Sequence, residues 1–111
     1  METNPGLVGI VTVNWNQADD TLECLASLKN LSYPDLFTIV VDNGSEDGSP
    51  DLIAERYPEV EIVRNPKNLG FGGGYNRGIQ HALEHGAYYV FIVNNDTIID
   101  PNCISLLVDH A

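Results

Sequence analysis

The sequence predicts an α/β domain: an open, mostly parallel sheet with helices on both faces. Three observations predict it. Four short apolar runs rich in strand-forming residues alternate with segments of helical periodicity, in the order β-α-β-α-β-α-β-α. The connections are short, with no internal repeat and no low-complexity segment. Each apolar run ends abruptly in a polar cluster, and right-handed crossovers between parallel strands carry all four clusters to one edge of the sheet.

The first run, Leu7 to Val13 (LVGIVTV), is almost continuously apolar, the pattern of a strand covered on both faces. It ends in Asn14-Trp15-Asn16. Asp20 followed by Glu23 forms a capping box for a helix whose stripe is Leu22, Leu25, Ala26 and Leu28, and Tyr33-Pro34-Asp35 breaks it. Phe37 to Val41 (FTIVV) is a second buried strand, closed by Asp42-Asn43-Gly44-Ser45. Ser49-Pro50 reads as N-cap and first helical residue of a short helix that Pro58 stops. Val60 to Arg64 alternates, which places a third strand near a sheet edge.

The loop Asn65 to Gly74 (NPKNLGFGGG) leads into a helix from about Gly72 to His85. Tyr75, Ile79, Ala82 and Leu83 are its expected buried face, and Gly86 follows its end. The run from Tyr88 to Val93 is a fourth strand delivering Asn94-Asn95-Asp96-Thr97. Asp100-Pro101 caps a last helix carrying Ile104, Leu107 and Val108.

Composition limits the function. A chain of 111 residues is one domain, able to bury roughly two thirds of its extended surface. Hydrophobic content of 43% with 19% charged residues is that of a globular protein. The net charge of −11 argues against a nucleic-acid partner. Three of the five basic residues, Arg64, Lys67 and Arg77, fall around the glycine-rich loop, which reads either as a phosphate site or as scattered surface charge. No apolar run approaches the ~20 residues that span a bilayer, so the cytoplasm is the expected compartment. Cys24 and Cys103 follow no CxxC spacing and are read as free thiols.

Each cluster has a functional and a plain structural reading. Trp15, the single tryptophan, either packs on a nucleobase or covers the end of the core. Asp42 either accepts from a base N–H or ribose hydroxyl, or belongs to an ordinary turn. Gly70, Gly72, Gly73, Gly74 and Gly78 match neither G-x-G-x-x-G nor a Walker A loop. They leave a helix N-terminus that favours anions, or glycines needed for helix–sheet packing. Asp96 with Asn94 offers a carboxylate and an amide oxygen, a hard donor set that two phosphates would complete around Mg²⁺ or Mn²⁺; alternatively Asp96 caps the turn. His81 and His85, four apart without an evident third ligand, read as surface histidines near a helix C-terminus.

The succession IVTVNWN, VVDNGSEDGS, NPKNLGFGGGYNRGI and FIVNNDTIIDP resembles the family 2 glycosyltransferases of the GT-A fold. It is most similar to the branch with bacterial rhamnosyl- and galactofuranosyltransferases, and the likeness runs from Leu7 to about Val108. The resemblance implies a Rossmann-like domain that binds a UDP- or dTDP-sugar. Val13, Asn14 and Trp15 would line the pyrimidine pocket, with Asp42 on the base. Gly70 and the helix it precedes, including Asn76, would lie along the donor. Asn94-Asn95-Asp96 would stand in for the family's D-x-D, with Asp96 and Asn94 toward the metal and Asn95 near the ribose or sugar. Asparagine in the first position leaves one carboxylate for the cation.

The implied chemistry is inverting, metal-assisted transfer in polysaccharide or cell-wall synthesis, to a glycan or lipid-linked acceptor. In that family the acceptor half and the general base lie beyond the metal motif. The expectation is therefore a donor-binding domain over residues 1–111, without a catalytic base and inactive alone. Peripheral membrane association is expected of the full-length enzyme, and an exposed sheet edge offers a route to a homo-oligomer. Rival readings are a sugar-nucleotidyltransferase-like protein, which would place a basic glycine-rich loop where NWNQADD stands, and a nucleotide-binding regulatory module. A response-regulator receiver lacks its acidic pair here.

Overall fold

A computed structural model describes residues 6–31, 33–102, 104 and 108. Seven elements follow one another: β1 (Val8–Asn14), α1 (Ala18–Lys29), β2 (Leu36–Asp42), α2 (Ser49–Arg56), β3 (Glu61–Arg64), α3 (Gly70–Glu84) and β4 (Tyr89–Ile92). The strands form one parallel sheet in the order β3-β2-β1-β4, as the α/β reading requires. The chain steps from β1 to β2 to β3 in one direction, then returns to the far side of β1 for β4. The β1/β4 boundary is therefore the topological switch point, where open α/β sheets hold their ligands.

Side-chain phase divides the core into two layers. Val8 and Ile10 of β1 and Val40 of β2 pack with Cys24, Leu25 and Leu28 of α1 and Ile53 of α2. Val11, Val13, Ile39 and Val41 point the other way and pack with Ala82 of α3 and Ala87. This period-two alternation makes both faces of β1 apolar, and every β1 residue is buried. On the second face α3 lies unusually close. A Cβ added to Gly78 would stand 2.2 Å from Val11 Cγ1, and one added to Gly74 would stand 3.1 Å from Val13 Cγ1. Those two glycines serve helix–sheet packing.

Several boundaries differ from the sequence reading. Helix α1 begins at Ala18, so Asp20 is its third residue and not its cap. Asn16 takes a left-handed conformation (φ 51°) and turns the chain early; Asp19 and Asp20 then complement the helix dipole from the first turn. Helix α2 is capped at Gly48, in the left-handed region at φ 81°, which makes Ser49 its first residue. The acceptor is supplied from one position further out, where the Asp47 carboxylate receives the Ser49 amide at 2.9 Å and the Ser49 hydroxyl. Helix α3 starts at Gly70, two residues ahead of the expected start. Strand β3 is at a sheet edge, as its alternation predicted.

Strand β4 is shorter than the apolar run that encodes it and only half-buried, because among the described residues it pairs with β1 alone. Tyr88 and Ile92 are about half exposed at its two ends. After it, Asp100 Oδ1 accepts from the Asn102 amide at 2.9 Å. Ile104 is buried against the α1 layer and Val108 packs there too, while most of the predicted last helix, with Leu107 and Cys103, lies outside the described residues. Among the described residues no helix is long and apolar enough to cross a membrane.

Candidate functional site

The register aligns the strand exits: Asn14 faces Asp42 across β1 and β2, and Asp42 faces Arg64 across β2 and β3. The four polar clusters therefore do share one edge. Between them lies a cleft of about 330 Å³, lined by Val13, Trp15 and Gln17 after β1, Asn43 after β2, Asn68, Gly70 and Phe71 at the start of α3, and Asn95 after β4. That volume is at the lower end of small-ligand sites, which run from about 300 to 1,000 Å³. Trp15 is 49% exposed and Phe71 75% exposed, so neither ring belongs to the core. Such apolar faces at a cleft mouth are free to stack on a planar ring.

Phase decides which predicted residues reach this cleft. Val13 points to the α3 side and lines it. Asn14 and Asp42 point to the α1 side, where both are buried. Asp42 Oδ1 accepts from Asn14 Nδ2 at 3.0 Å and from the Ser45 hydroxyl at 2.7 Å, while its Oδ2 accepts from the Ser45 amide at 2.9 Å. Asn14 Oδ1 in turn accepts the Thr21 hydroxyl at 2.6 Å, and Thr21 Oγ1 accepts from Asn95 Nδ2 at 3.1 Å. The result is a chain, Asn95 to Thr21 to Asn14 to Asp42, in which every donor points toward the carboxylate. Each link polarises the next, and the chain ties the exits of β4, β1 and β2 together beneath the cleft.

A second anchor organises the glycine loop. Asn43 is buried and uses its full hydrogen-bonding capacity. Its Oδ1 accepts from Asn65 Nδ2 (3.1 Å) and the Leu69 amide (3.0 Å), and its Nδ2 donates to Asn68 Oδ1 (3.1 Å) and the Gly70 carbonyl (3.0 Å). Gly44, with φ 80°, allows the β2 exit to lie against this loop: a Cβ there would be 2.7 Å from the Lys67 backbone. Gly70 itself has φ 76°, and its amide donates to Asn68 Oδ1 at 2.7 Å. The next two amides of α3, Phe71 and Gly72, fall in the first turn, where no helical acceptor exists, at the positive end of the helix dipole.

The basic residues do not contribute as their spacing suggested. Arg64 pairs with Asp51 at 2.9 Å, and Arg77 Nε donates to Asn65 Oδ1 at 3.2 Å; neither these two nor Lys67 lines the cleft. Asn76 is exposed on α3, two residues and hence about 200° around the helix from buried Gly74, and it does not line the cleft either.

At the β4 exit, Asn94 Oδ1 accepts the Tyr75 hydroxyl at 3.2 Å, and the Cys24 thiol lies 3.8 Å from the Asn94 carbonyl. Asn95 Nδ2 also donates to Gln17 Oε1 at 3.1 Å. Asp96 is exposed, and among the described residues its carboxylate has no hydrogen bond or ion pair. Its charge is nonetheless felt. The Cys24 thiol is pushed up to about 11, by burial first and by Asp96 second. Tyr75 is raised by burial, then by Cys24 and Asp96. Asp96 offers an uncompensated carboxylate and Asn94, two residues earlier, an amide oxygen that accepts from Tyr75; both are hard oxygen donors of the kind a divalent cation takes together with waters and phosphate oxygens.

Sequence reasoning missed Gln17, Asn43, Asn68 and Phe71 as cleft residues. It also found no third ligand for His81 and His85, whereas the fold brings Glu61 of β3 to them. That triad is at the opposite end of α3 and is separate from Asp96.

The fold recurs in known proteins. The profile of glycosyl transferase family 2 matches residues 9–111. N-acetylglucosaminyl-diphospho-decaprenol L-rhamnosyltransferase of Mycobacterium tuberculosis is 30% identical over 110 residues, covering 92% of this chain and 36% of the relative. The putative glycosyltransferase EpsH of Bacillus subtilis is 33% identical over 103 residues, covering 90% and 29%. The chain thus spans about a third of the length of the curated relatives it matches. Among solved structures, S. aureus TarS 1-349 superposes with a TM-score of 0.82 at 20% identity, over 93% of this chain and 31% of that one. The mannosyltransferase PcManGT of Pyrobaculum calidifontis, solved with GDP-Man and Mn²⁺, gives 0.76 at 24% identity, over the same shares. By its fold and by a profile match over nearly its whole length, this chain belongs to glycosyl transferase family 2.

Proposed function

We propose that the cleft binds the nucleoside-diphosphate part of a sugar donor, and that the chain is the donor-binding part of an inverting glycosyltransferase of polysaccharide or cell-wall synthesis. The observation that carries this reading is the cleft at the β1/β4 switch point, with two exposed aromatic rings and a helix N-terminus among its lining and with Asn95, the residue before exposed Asp96, on its wall. Trp15 and Val13 form the face for a uracil or thymine ring. The Phe71 and Gly72 amides meet the diphosphate, taking the part that the displaced basic residues do not. Asn95, whose Nδ2 is committed to Gln17 and Thr21, turns its carbonyl oxygen to a ribose or sugar hydroxyl. Asp42 and Asn14, buried on the α1 side, act as supports that hold the strand exits beneath the cleft.

Asp96 and Asn94 would hold Mg²⁺ or Mn²⁺, which when bound stabilises negative charge on the departing diphosphate. The presence of GDP-Man and Mn²⁺ in PcManGT, and of UDP-GlcNAc in a second TarS structure, supports the donor class and the metal. The base that deprotonates the acceptor hydroxyl belongs to a part of the enzyme outside these residues. The acceptor is a glycan or a lipid-linked sugar, as the name of the mycobacterial relative suggests, and a lipid-linked acceptor would bring the whole enzyme to a membrane surface.

Calorimetric titration of UDP and dTDP, with and without Mn²⁺, tests the donor site. Binding is expected to strengthen with the metal and to lose that enhancement in Asp96→Ala. A folded sample that binds neither nucleotide at millimolar concentration would overturn the reading.

A further inference from the structure

The fold brings together three metal-ligating side chains that are remote from the donor cleft. Glu61 opens β3 and so lies at the N-terminal end of the strands, opposite the ligand edge. His81 is in the last turn of α3 and His85 is its C-cap. One ligand atom from each lies within 4.8 Å of the other two. Along α3, His81 is eleven residues from Gly70, about 16 Å at 1.5 Å per residue.

The local arrangement has the features of a ligand set. His81 Nε2 touches Glu61 Oε2, which turns the imidazole toward the strand. His85 Nδ1 is 2.8 Å from the His81 carbonyl. A carbonyl can only accept, so Nδ1 carries the hydrogen and the lone pair of His85 is on Nε2. A histidine held through one ring nitrogen by a backbone carbonyl is oriented to ligate through the other. The two rings stack with centroids 4.1 Å apart, so both imidazoles present to the same side of the helix. Glu61 and His81 are half-buried and His85 is exposed, which leaves the site open to solvent ions.

We propose that Glu61, His81 and His85 form a second metal site, for a borderline transition-metal ion such as Zn²⁺, that clamps the C-terminal end of α3 to the edge strand β3. Two imidazoles and one carboxylate match the preference of Zn²⁺ for nitrogen and oxygen donors, and three protein ligands leave a fourth position for water. Ligand atoms about 2.1 Å from a tetrahedral ion stand about 3.4 Å apart, so the touching pair His81–Glu61 opens to admit the ion while any wider spacing in the set closes, each by roughly 1 Å. Mg²⁺, which takes oxygen ligands, does not suit this set. The clamp joins the half-buried edge strand to the helix that carries the cleft at its other end. It does not depend on the donor reading.

The test is calorimetric titration of the 111-residue chain with ZnCl₂ in a non-chelating buffer, paired with thermal melts. Wild-type protein is expected to bind one Zn²⁺ at this triad and to melt at higher temperature with it, a shift that Mg²⁺ does not reproduce. His85→Ala, at an exposed position that leaves the fold intact, should weaken binding by at least ~10-fold and abolish the thermal shift; Glu61→Gln should weaken it in the same direction. Absence of Zn²⁺ binding in the folded wild type would overturn the proposal. So would equal Zn²⁺ affinity in wild type, His85→Ala and Glu61→Gln, which would place the ion elsewhere.

Discussion

The Thr21 hydroxyl donates to Asn14 Oδ1 at 2.6 Å, and both side chains are fully buried. This bond joins the end of β1 to the helix that follows it, and it is the middle link between Asn95 and Asp42. Removing the hydroxyl leaves Asn14 Oδ1 without its donor and Asn95 Nδ2 without one of its two acceptors. An unsatisfied buried polar atom costs about 1–3 kcal/mol. Thr21→Val is therefore expected to lower the unfolding free energy by that amount in chemical denaturation. Thr21→Ser, which keeps the hydroxyl, should recover most of the loss. UDP affinity should fall in the valine variant, because Asn95 is no longer held at the cleft from below.

The glycines after Asn68 separate into two kinds, and a pair of alanine substitutions tells them apart. A Cβ at Gly78 would stand 2.2 Å from Val11 Cγ1 and 2.9 Å from Val41 Cγ2, so Gly78→Ala drives α3 off the sheet. Overpacking of this kind costs about 1–3 kcal/mol. At Gly72 a Cβ would meet nothing within 4 Å, and the residue is helical and exposed. Alanine there is expected to stabilise by about 0.5–1 kcal/mol through helix propensity. Urea unfolding of the two variants side by side checks both signs.

That contrast also shows what the sequence could and could not reveal. The alternation of apolar runs with helical periodicity was sufficient for the sheet, its parallel sense and the common edge of the four polar clusters. It was not sufficient for the phase of each strand end. Asn14 and Asp42 looked like site residues because they follow apolar runs, yet their phase matches Ile10 and Val40, toward α1. Asn43, one residue on, shares the phase of Val13 and Val41, and a strict period-two count from the buried valines would have brought it forward. Gln17, Asn68 and Phe71 depend on loop conformation, which no periodicity encodes. Glu61 meets His81 only because β3 and α3 are neighbours in three dimensions, twenty residues apart in sequence.

Thr12 Oγ1 is, among the described residues, the one buried side-chain polar atom without a hydrogen-bond partner. It lies mid-strand in β1 with no exposure. Its neighbours in phase are Ile10 and Asn14, and the Asn14 side chain is already satisfied by Asp42 and Thr21. Valine has the same shape without the hydroxyl, so Thr12→Val removes a desolvated polar group and leaves no cavity. The expected result is a gain of about 1 kcal/mol in unfolding free energy, with nucleotide binding unchanged. A loss of stability on this substitution would show that the hydroxyl has a partner, such as a buried water.

Asp47 governs how α2 responds to acid. Its carboxylate accepts the Ser49 hydroxyl and the Ser49 amide, and these two bonds, the hydroxyl first, hold its pKa below the ordinary value of 3.8. A carboxyl group whose folded pKa is depressed binds its proton more weakly in the folded chain than in the unfolded one. Its stabilising contribution is therefore complete above the unfolded value and is lost as pH falls through the lower, folded value. Asp47 is fully exposed, so solvent keeps the effect small, but its direction is fixed. Asp47→Ala should melt below wild type near neutral pH, and the gap should narrow progressively below about pH 4 as the native carboxyl becomes protonated. Asp47→Asn, which keeps an acceptor oxygen but cannot ionise, should fall between the two at neutral pH, with a gap to Asp47→Ala that does not change with pH. Thermal melts of the three proteins across that range measure the effect directly.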